Sequence, residues 1–389
     1  MIPILSIVVP TKNRYYYLQF LAQYFHTIVS NKIELIIQDN SDMGTNENFV
    51  NFLNKINDQR ISYSYCGENL TIDKNCDLAI KKAKGEYVTM IGDDDIFSKH
   101  IVKYVEKFKV ENVDAILPIK SAYIWPDVNP RFYKNKLSGL YSVNDFKLKK
   151  TSIDIKKELE DVLNFGGVKI LNLPRIYHGI IRRDILEKIY IETNSYFPGP
   201  SPDMANAVAI CKYIDKYEMI DVPLIISGHS KTSGGGQGAQ GQHYGEISKL
   251  SFLPKDTAAN WDEDVPFYWS GSTIYAESVI QALKRTNRID LIKKFNFEYL
   301  IANCFVFDTN YKDRIEKVYG SKNSSFKLKV KYYILLIWLK RINFHLINNL
   351  SLIILILKFN NIKRFKKDNI LEVAFLNDEM IKNNQILIK

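Results

Sequence analysis

The chain has little cysteine, and its cysteines show no metal-binding or redox spacing. Four cysteines occur in 389 residues. They are Cys66, Cys76, Cys211 and Cys304. No two of them form a Cys-x-x-Cys motif, and none stands beside histidine at the spacing of a zinc finger. We therefore expect buried thiols in a reducing compartment, which excludes a disulfide framework and a structural zinc site.

Long apolar segments and secretion signals are also missing. The N-terminal "MIPILSIVVPTKNR" has no basic region and no small-residue cleavage site, so its apolar run predicts a first β-strand. The apolar runs 332–339 and 350–357 are too short to cross a bilayer, which needs about 20 residues. The segment 230–245 contains six glycines but lacks the Gly-Lys-Ser/Thr signature of a phosphate-binding loop. It predicts a mobile loop that serves as a lid.

Acidic residues are absent from one long stretch. Residues 322–367 contain eleven Lys or Arg and no Asp or Glu, so the formal net charge of +10 resides in this tail. Together with the two short apolar runs, this pattern favours helices lying on an anionic membrane surface. The alternative is a pair of ordinary core helices. On the membrane hypothesis, a chain ending near Ser321 is expected to stay soluble and to keep its N-terminal domain. We expect no nucleic-acid partner.

Short apolar runs alternate with amphipathic stretches in the N-terminal part of the chain. The predicted strands fall at 4–9, 33–39, 60–66 and 87–91, and the predicted helices at 15–30, 47–56 and 71–83. This alternation predicts a doubly wound, mostly parallel α/β sheet. In such sheets ligands bind at the carboxyl ends of the strands.

Polar residues follow three of these predicted strands. Pro10 and Thr11 end the first, Asp39 ends the second, and the triplet Asp93–Asp95 follows the strand at 87–91. With unperturbed pKa values near ~4, the three carboxylates are all ionised at neutral pH and repel one another. The triplet is therefore either a solvated turn or a site for Mg²⁺ or Mn²⁺, because these ions prefer oxygen ligands and bind substrate phosphates.

Four segments, in order and spacing, resemble one family. "LSIVVPTKNRYYYL", "ELIIQDNSD", "NLTIDKNCDLAIKKAKGEYV" and "MIGDDDIF" are similar to family 2 glycosyltransferases of the GT-A fold, and the resemblance covers residues 4–230. It implies transfer of a sugar from a nucleotide diphosphate sugar, with inversion at the anomeric carbon. It also implies a metal held by an Asp-x-Asp motif, whose ion offsets the charge on the departing diphosphate.

The resemblance also implies a role for individual residues. It assigns the nucleotide pocket to Pro10, Thr11, Arg14, Asp39, Lys74, Asn75 and Asp93. Within this set Asp39 contacts the base, uracil, and Asp93 contacts the ribose or the sugar of the donor. The metal ligands are Asp94 and Asp95. Because the string here is Gly-Asp-Asp-Asp, the sequence leaves open which of its three carboxylates touches the ion.

The resemblance places further residues on the acceptor side and in the loop. Asp203 stands at a helix start where the family has its catalytic base, which takes the proton of the attacking hydroxyl; the alternative is a helix N-cap. His229 follows the last strand where relatives carry a metal-ligating histidine, and its alternative is a structural role. His178 is a weaker candidate for the acceptor side. Lys231 and Ser233 are expected to meet the diphosphate when the loop closes.

These observations predict a GT-A domain at 1–230, a glycine-rich mobile loop at 231–246 and a helical region at 247–389 with its basic membrane-associating tail at 322–367. The predicted function is an inverting, Mn²⁺- or Mg²⁺-dependent glycosyltransferase. We expect a UDP-sugar donor and a polyprenyl-diphosphate-linked saccharide acceptor of a capsule or O-antigen pathway. The expected location is cytoplasmic, peripheral on the inner face of the cell membrane.

Two alternatives remain open. A sugar nucleotidyltransferase shares the nucleotide-binding topology, but it needs a glycine-rich signature after the first strand, and "PTKNR" contains no glycine. A catalytically inactive, nucleotide-sugar-binding scaffold of a membrane assembly is the other. The intact set of carboxylates at Asp39, Asp93–Asp95 and Asp203 speaks against it.

Overall fold

The computed structural model describes residues 2–128, 137–233, 244–250, 252–350 and 362–387. Eleven strands occur in these residues: β1 (Leu5–Thr11), β2 (Ile33–Asp39), β3 (Ile61–Tyr65), β4 (Tyr87–Met90), β5 (Ile96–Phe97), β6 (Ala115–Ile124), β7 (Leu140–Asn144), β8 (Lys150–Ser152), β9 (Ile180–Arg182), β10 (Tyr217–His229) and β11 (Ile362–Lys366). All of them belong to one mixed sheet.

Helices cover the sheet and extend beyond it. In chain order they are α1 (Tyr15–His26), α2 (Glu47–Ile56), α3 (Ile72–Ile80), α4 (Ile101–Val110), α5 (Ile155–Asn164), α6 (Arg183–Thr193), α7 (Pro202–Ile210), α8 (Thr257–Asn260), α9 (Gly271–Arg285), α10 (Phe297–Phe307), α11 (Lys312–Gly320), α12 (Ser324–Leu350) and α13 (Ile370–Leu387).

The first four long strands form the parallel part of the sheet. Their order is β3-β2-β1-β4, and every neighbouring pair is parallel. The apolar runs that predicted these strands are buried on both faces, as Ile7, Val8 and Val9 illustrate. The register sets Thr11 opposite Asp39, so the polar strand ends lie side by side. The predicted α/β fold, with its parallel core, is confirmed.

Beyond β4 the sheet changes direction. Strand β9 pairs antiparallel with both β4 and β6, and β10 then runs parallel to β6. The short strand β5, directly after the acidic triplet, pairs antiparallel with β10 through Phe97 and Ile225. The turn at 91–95 therefore lies against the end of β10, and this contact positions the candidate site.

The helical region has a hydrophobic core of its own. Helices α5, α7, α9, α10 and α12 contribute to it, with Leu163, Val279, Leu300 and Val330 among its buried members. Of the predicted apolar runs, 332–339 lies within α12. The run 350–357 falls almost wholly outside the described residues. In the part of the chain that the structure describes, no helix is both long enough and apolar enough to cross a membrane.

The end of the chain returns to the sheet, which corrects the predicted helical region at 247–389. Strand β11 pairs antiparallel with β7, and α13 buries Val373 and Ile381 in the core of the first domain. Asp378 of α13 accepts hydrogen bonds from Tyr24 Oη and Ser98 Oγ, both at 2.6 Å. Asp378 thus anchors α13 to the first domain. The local sequence pattern did not predict this role, because its hydrogen-bond partners are distant in the chain.

Candidate active site

Asp93 is the first carboxylate after β4, and it is buried against the end of β1. Its Oδ2 accepts a hydrogen bond from Thr11 Oγ1 at 2.7 Å, and its Oδ1 lies 2.9 Å from Nη1 of Arg14. Burial raises the pKa of Asp93 to about 7, although the Arg14 charge opposes the rise. The predicted neighbours Thr11, Arg14 and Asp93 are therefore in direct contact.

Asp94 faces the segment that follows β10. Its Oδ2 accepts hydrogen bonds from the backbone N–H and the hydroxyl of Ser230, at 3.0 and 2.6 Å, and lies 2.8 Å from Nη2 of Arg14. Burial and the neighbouring charge of Asp95 raise its pKa. Its Oδ1 accepts no hydrogen bond from the described residues. Asp94 therefore keeps one oxygen for a ligand.

Asp95 is the most completely bonded of the three carboxylates. Its Oδ1 accepts the backbone N–H of Gly228 at 2.7 Å. Its Oδ2 accepts from the Gly92 N–H and from His178 Nε2, both at 2.6 Å, and from Tyr177 Oη at 3.3 Å. Burial alone would raise the pKa of Asp95, but His178 and the two backbone donors lower it. Asp95 therefore fastens the turn to β10 and to the 177–178 segment.

The fit between the acidic turn and β10 requires glycine at position 228. A Cβ atom there would lie 1.7 Å from the backbone oxygen of Asp94. That oxygen also accepts a hydrogen bond from Trp125 Nε1 at 3.0 Å. The "ISGH" segment at 226–229 thus has a structural requirement that its sequence alone did not reveal.

Arg14 supplies the positive charge at the centre of the cluster. Its guanidinium contacts both Asp93 and Asp94, donates to Ser230 Oγ, and lies 5.1 Å from the ring centre of Tyr17. Burial lowers the pKa of Arg14, but the charges of Asp93 and Asp94 raise it by more. The net pKa lies above the usual value, so the group stays charged. Arg14 therefore offsets part of the repulsion between Asp93 and Asp94, and the hydrogen bond from His178 stabilises Asp95.

The predicted metal ligands Asp94, Asp95 and His229 do not form a three-ligand site. Within the described ranges, no group of three or more His, Cys, Asp or Glu is placed to hold a metal ion. Asp95 does not fit, because both of its oxygens already accept hydrogen bonds. His229 ends β10 with its side chain partly exposed, and its backbone oxygen accepts from Trp125. Among these three predicted ligands, Oδ1 of Asp94 is the atom that fits a cation, which would need phosphate oxygens to complete its coordination.

Asp39 is held by four donors. Its Oδ2 accepts from Tyr15 Oη and Tyr63 Oη, both at 2.6 Å, and its Oδ1 accepts from the N–H and hydroxyl of Ser41 at 2.9 and 2.6 Å. A carboxylate has about four lone-pair positions, so these bonds occupy its accepting capacity. Asp39 thus organises the wall at the end of β2, and its predicted contact with a base stays a prediction.

Helix α3 brings two more predicted residues to the strand ends. Nδ2 of Asn75 donates to the backbone oxygen of Thr11 at 3.3 Å, while its buried Oδ1 has no partner. The Lys74 side chain is half exposed, with Nζ 3.5 Å from Asp77. Pro10 precedes Thr11 in β1, opposite Gln38. Asn75 therefore offers an unused acceptor beside the end of β1.

The predicted loop residues are described only where the loop begins. The backbone N–H of Lys231 points to Asp127 Oδ2 at 3.4 Å, and Ser233 Oγ donates to the backbone oxygen of Ser230 at 2.9 Å. The predicted lid at 231–246 lies largely outside the described residues. Through Ser230, the start of this segment is nevertheless bonded directly to Asp94.

Asp203 lies in the first turn of α7, and its side chain makes no hydrogen bond to any described residue. The N-cap position belongs to Ser201, which makes no side-chain capping bond either. Burial raises the pKa of Asp203, and the charges of His178, Arg175 and Lys120 oppose the rise. The capping alternative is therefore not supported. What remains is a partly exposed carboxylate in the electrostatic field of the His178–Asp95 pair.

Sequence reasoning gave too little weight to His178 and missed Tyr177 and Ser230. His178 has φ of +62°, a left-handed conformation that is uncommon for histidine and that places its ring against Asp95. The ring also stacks on Tyr177 with centres 4.0 Å apart. No local sequence signal gives a positive φ here. The hydrogen bond from the His178 N–H to the Met90 oxygen, at 3.0 Å, ties this backbone conformation to the end of β4.

Comparison with known proteins agrees with the motifs. Residues 6–169, about two fifths of the chain, match the family model described as Glycosyl transferase family 2. A curated relative, "Uncharacterized glycosyltransferase MG060" of Mycoplasma genitalium, is 33% identical over 125 residues. That match covers 29% of this chain and 40% of the relative. The resemblance to family 2 glycosyltransferases is thus confirmed for the N-terminal region.

Solved structures of S. aureus TarS are similar at low identity. The structure titled as residues 1–349 in complex with UDP-GlcNAc is 15% identical, with a TM-score of 0.46, over 81% of this chain and 83% of that one. The structure titled as the same fragment in complex with UDP is 18% identical, with a TM-score of 0.41, over 58% of this chain and 61% of that one. Both are weak likenesses.

Proposed function

We propose that the protein is an inverting glycosyltransferase that moves a sugar from a UDP-sugar to a hydroxyl of a saccharide acceptor. The observation that carries the proposal is the buried pair Asp93–Asp94 at the strand ends, bridged by Arg14, with the unbonded carboxylate of Asp203 in the field of the adjoining His178–Asp95 pair. Strand ends of this kind are where α/β sheets bind nucleotides. The family 2 match over 6–169 supports the reaction class.

Asp203 is the proposed general base. Its raised pKa makes it a better proton acceptor than an ordinary aspartate, since a base works best when its pKa approaches the working pH. It would take the proton of the acceptor hydroxyl while that oxygen attacks the anomeric carbon. The bond from that carbon to the diphosphate breaks in the same displacement, UDP leaves, and the configuration inverts. Asp203 then holds the proton that the acceptor lost.

We further propose that Asp94 is the cation-facing residue of the site. Its Oδ1 is the carboxylate oxygen of the triplet that fits this role, since the oxygens of Asp93 and Asp95 contact protein donors. A bound Mn²⁺ or Mg²⁺ would offset the negative charge of the diphosphate. Arg14 holds Asp93 and Asp94 in place and supplies a charge that a diphosphate would also attract.

A membrane-held acceptor is the third part of the proposal, and helix α12 supports it. One face of α12 carries an apolar stripe, defined as Leu328, Tyr332, Leu335, Leu339 and Ile342, and each member is at least half exposed. The opposite face is buried through Val330 and Ile337. Basic residues flank the stripe at 327, 329, 331, 340 and 341. An amphipathic basic helix of this kind suits the surface of an anionic leaflet, where a lipid-linked saccharide would be presented.

The test uses the full chain and the donor alone. We expect UDP with Mn²⁺ to raise the melting temperature, and one UDP-sugar of a panel to be hydrolysed slowly without acceptor. Asp94→Asn should lose the Mn²⁺-dependent part of the shift. Asp42→Asn, an exposed aspartate paired with Lys12, is the matched control and should keep it. If neither the shift nor hydrolysis occurs, the proposal fails. Release of pyrophosphate from UTP and a sugar 1-phosphate would instead identify a nucleotidyltransferase.

A further inference from the structure

A cavity of 460 Å³ lies where the N-terminal domain meets the helical region. Three segments line it: the loop and helix start at 68–74, the loop at 193–200, and residues 254–285 of α8 and α9. The backbone N–H of Ile72 donates to the oxygen of Phe252 at 3.0 Å, which joins the first segment to the third. The volume falls in the range of small-molecule sites. Two of the three segments, at 193–200 and 254–285, lie outside the family match at 6–169, so that match does not account for the cavity.

The cavity is separate from the strand-end site. Helix α3 stands between them, because Asn75 bonds to Thr11 on one side while Asp73 lines the cavity on the other. Residues two apart on a helix point about 200° away from each other, which agrees with this division. Of the residues predicted for the nucleotide pocket, Lys74 alone lines the cavity, so a ligand there would leave the described strand ends open to a nucleotide.

Two nearly buried polar groups that line the cavity have no protein partner. Oδ1 of Asp73, a residue 5% exposed, accepts no hydrogen bond, and the hydroxyl of Thr257, a residue 7% exposed, makes none. Buried polar atoms are nearly always bonded, and an unsatisfied one costs about 1–3 kcal/mol. A ligand carrying both donors and acceptors, such as a hydroxyl group, would satisfy both.

The charges of the cavity favour a neutral ligand. Its charged lining residues comprise four acids and three bases: Glu68, Asp73, Asp256, Glu277, Lys74, Lys255 and Arg285. Arg285 is paired with Asp256 at 2.7 Å, and Lys74 lies 3.5 Å from Asp77. With no surplus of positive charge, the cavity does not suit a phosphate or a nucleotide. Its amide, hydroxyl and carboxyl groups match a polyhydroxyl compound.

We infer that this cavity is a carbohydrate-binding site that holds an uncharged sugar residue of the acceptor. The identification of that sugar with the acceptor rests on the proposed glycosyltransferase function, whereas the binding itself does not. Gln281 supports the wall, since its Nε2 donates to the backbone oxygen of Asn260 at 2.5 Å and to Glu277 Oε1 at 2.6 Å. The site would anchor the acceptor near the start of α7, where Asp203 follows the cavity-lining Pro200 by three residues.

The test measures saturation-transfer NMR on the full chain with methyl glycosides of glucose, galactose, mannose, N-acetylglucosamine and N-acetylgalactosamine. We expect at least one glycoside to bind. Thr257→Val removes one hydrogen bond and should weaken that glycoside about fivefold. Asn260→Trp blocks the cavity from an exposed position and should abolish the signal. Ala259→Trp, its exposed neighbour that does not line the cavity, is the matched control and should leave binding unchanged.

Three results would overturn the inference: no glycoside gives a signal, the signal persists in Asn260→Trp, or UDP with Mn²⁺ displaces the glycoside. The melting shift with UDP and Mn²⁺ is measured on every variant and should match wild type. A lost UDP shift with intact glycoside binding contradicts the proposed function alone. An intact UDP shift without glycoside binding contradicts only the carbohydrate site.

Discussion

Nε2 of His178 lies 2.6 Å from Oδ2 of Asp95, and both side chains are almost wholly buried. This pair joins the acidic turn after β4 to the segment before β9, two parts of the chain 83 residues apart. The bond places the 177–178 segment beside both the carboxylate cluster and Asp203. Asp95 therefore has a structural role in the proposed site, whereas Asp93 and Asp94 contact Arg14 at the strand ends.

Removing the histidine should destabilise the fold. His178→Ala leaves the buried carboxylate of Asp95 without the hydrogen bond from Nε2, and we expect a loss of about 2–4 kcal/mol in the free energy of unfolding. Urea denaturation at pH 7 measures it. His26→Ala is the matched control, because His26 contacts Asp58 at 3.1 Å on the surface and should change stability by less than about 0.5 kcal/mol. Equal effects of the two variants would contradict a structural role for the His178–Asp95 pair.

Asp203→Asn should separate catalysis from binding. The amide keeps the shape of the side chain but cannot accept the proton, so we expect the turnover rate to fall by about 10²–10⁴ while UDP affinity stays near wild type. Single-turnover kinetics and a UDP titration measure the two quantities. Ser201→Ala changes the adjacent N-cap residue, whose side chain makes no capping bond, and should leave the rate intact. An unchanged rate in Asp203→Asn would show that another group is the base.

The end of the chain should be essential for stability, contrary to the expectation from the sequence that a chain ending near Ser321 keeps its N-terminal domain. Ending the chain at Asn361 removes β11 and α13 and exposes the core that they cover. We expect insoluble protein or a loss of cooperative unfolding, observed by circular dichroism. Within the full chain, Asp378→Ala should cost about 2 kcal/mol or more, whereas the exposed neighbour change Glu379→Ala should be nearly neutral. A cooperatively folded truncated chain would contradict this.

The apolar stripe of α12 should govern membrane association. Leu335→Gln with Leu339→Gln removes two exposed apolar side chains without changing the charge, so sedimentation with phosphatidylglycerol vesicles should fall at least tenfold at low salt. Val110→Gln with Ile191→Gln, which changes two exposed apolar residues elsewhere, should have no effect. Vesicle binding that is unchanged in the stripe variant, or that persists on neutral vesicles at high salt, would exclude the interfacial orientation.

The buried carboxyl group of Glu277 predicts that the stability of the fold falls as the pH rises. Burial raises its pKa to about 7, so the folded state holds a proton that the unfolded state has already released. Between pH about 4.5 and 7 the native state then binds more protons, and the contribution of Glu277 to stability falls as pH rises, by a few kcal/mol in all. Glu277→Gln should remove this slope. From pH 4.5 to 8 the wild type should therefore lose more unfolding free energy than Glu277→Gln does. Urea titrations of both proteins at several pH values measure this difference. A constant difference would show that Glu277 does not titrate in this range.

Much of the parallel half of the fold was predictable, because its evidence is local. The apolar runs that form β1, β2 and β4 are buried on both faces, and polar residues end each of them. These strand ends also gave Thr11 and the Asp93–Asp95 triplet, whereas Arg14 came from the family resemblance. The contact of Thr11 with Asp93 agrees with the parallel pairing of β1 and β4.

The rest depended on contacts between distant residues. The sequence suggested a metal beside the carboxylates, which stays a prediction, but it gave no sign that Arg14 contacts Asp94 or that His178 bonds to Asp95. Backbone donors such as the Gly228 N–H decide which carboxylate oxygens of the triplet already accept a hydrogen bond. The periodicity of the sequence carries no information about these donors. The return of β11 and α13 to the sheet was not predicted, for the same reason. Helix α13 has an ordinary apolar pattern, and only Tyr24 and Ser98 show where it docks.

The docking of Asp378 against Tyr24 has a consequence for how the protein is made. These residues are 354 positions apart, so the domain that contains the main sheet is split in sequence and the helical region is an insertion within it. On a ribosome, the N-terminal strands emerge first but lack β11 and α13 until the helical region has been synthesised. Contacts of such high sequence separation slow folding and leave apolar surface exposed meanwhile. A nascent chain therefore keeps the apolar surface that α13 covers exposed until α13 leaves the exit tunnel.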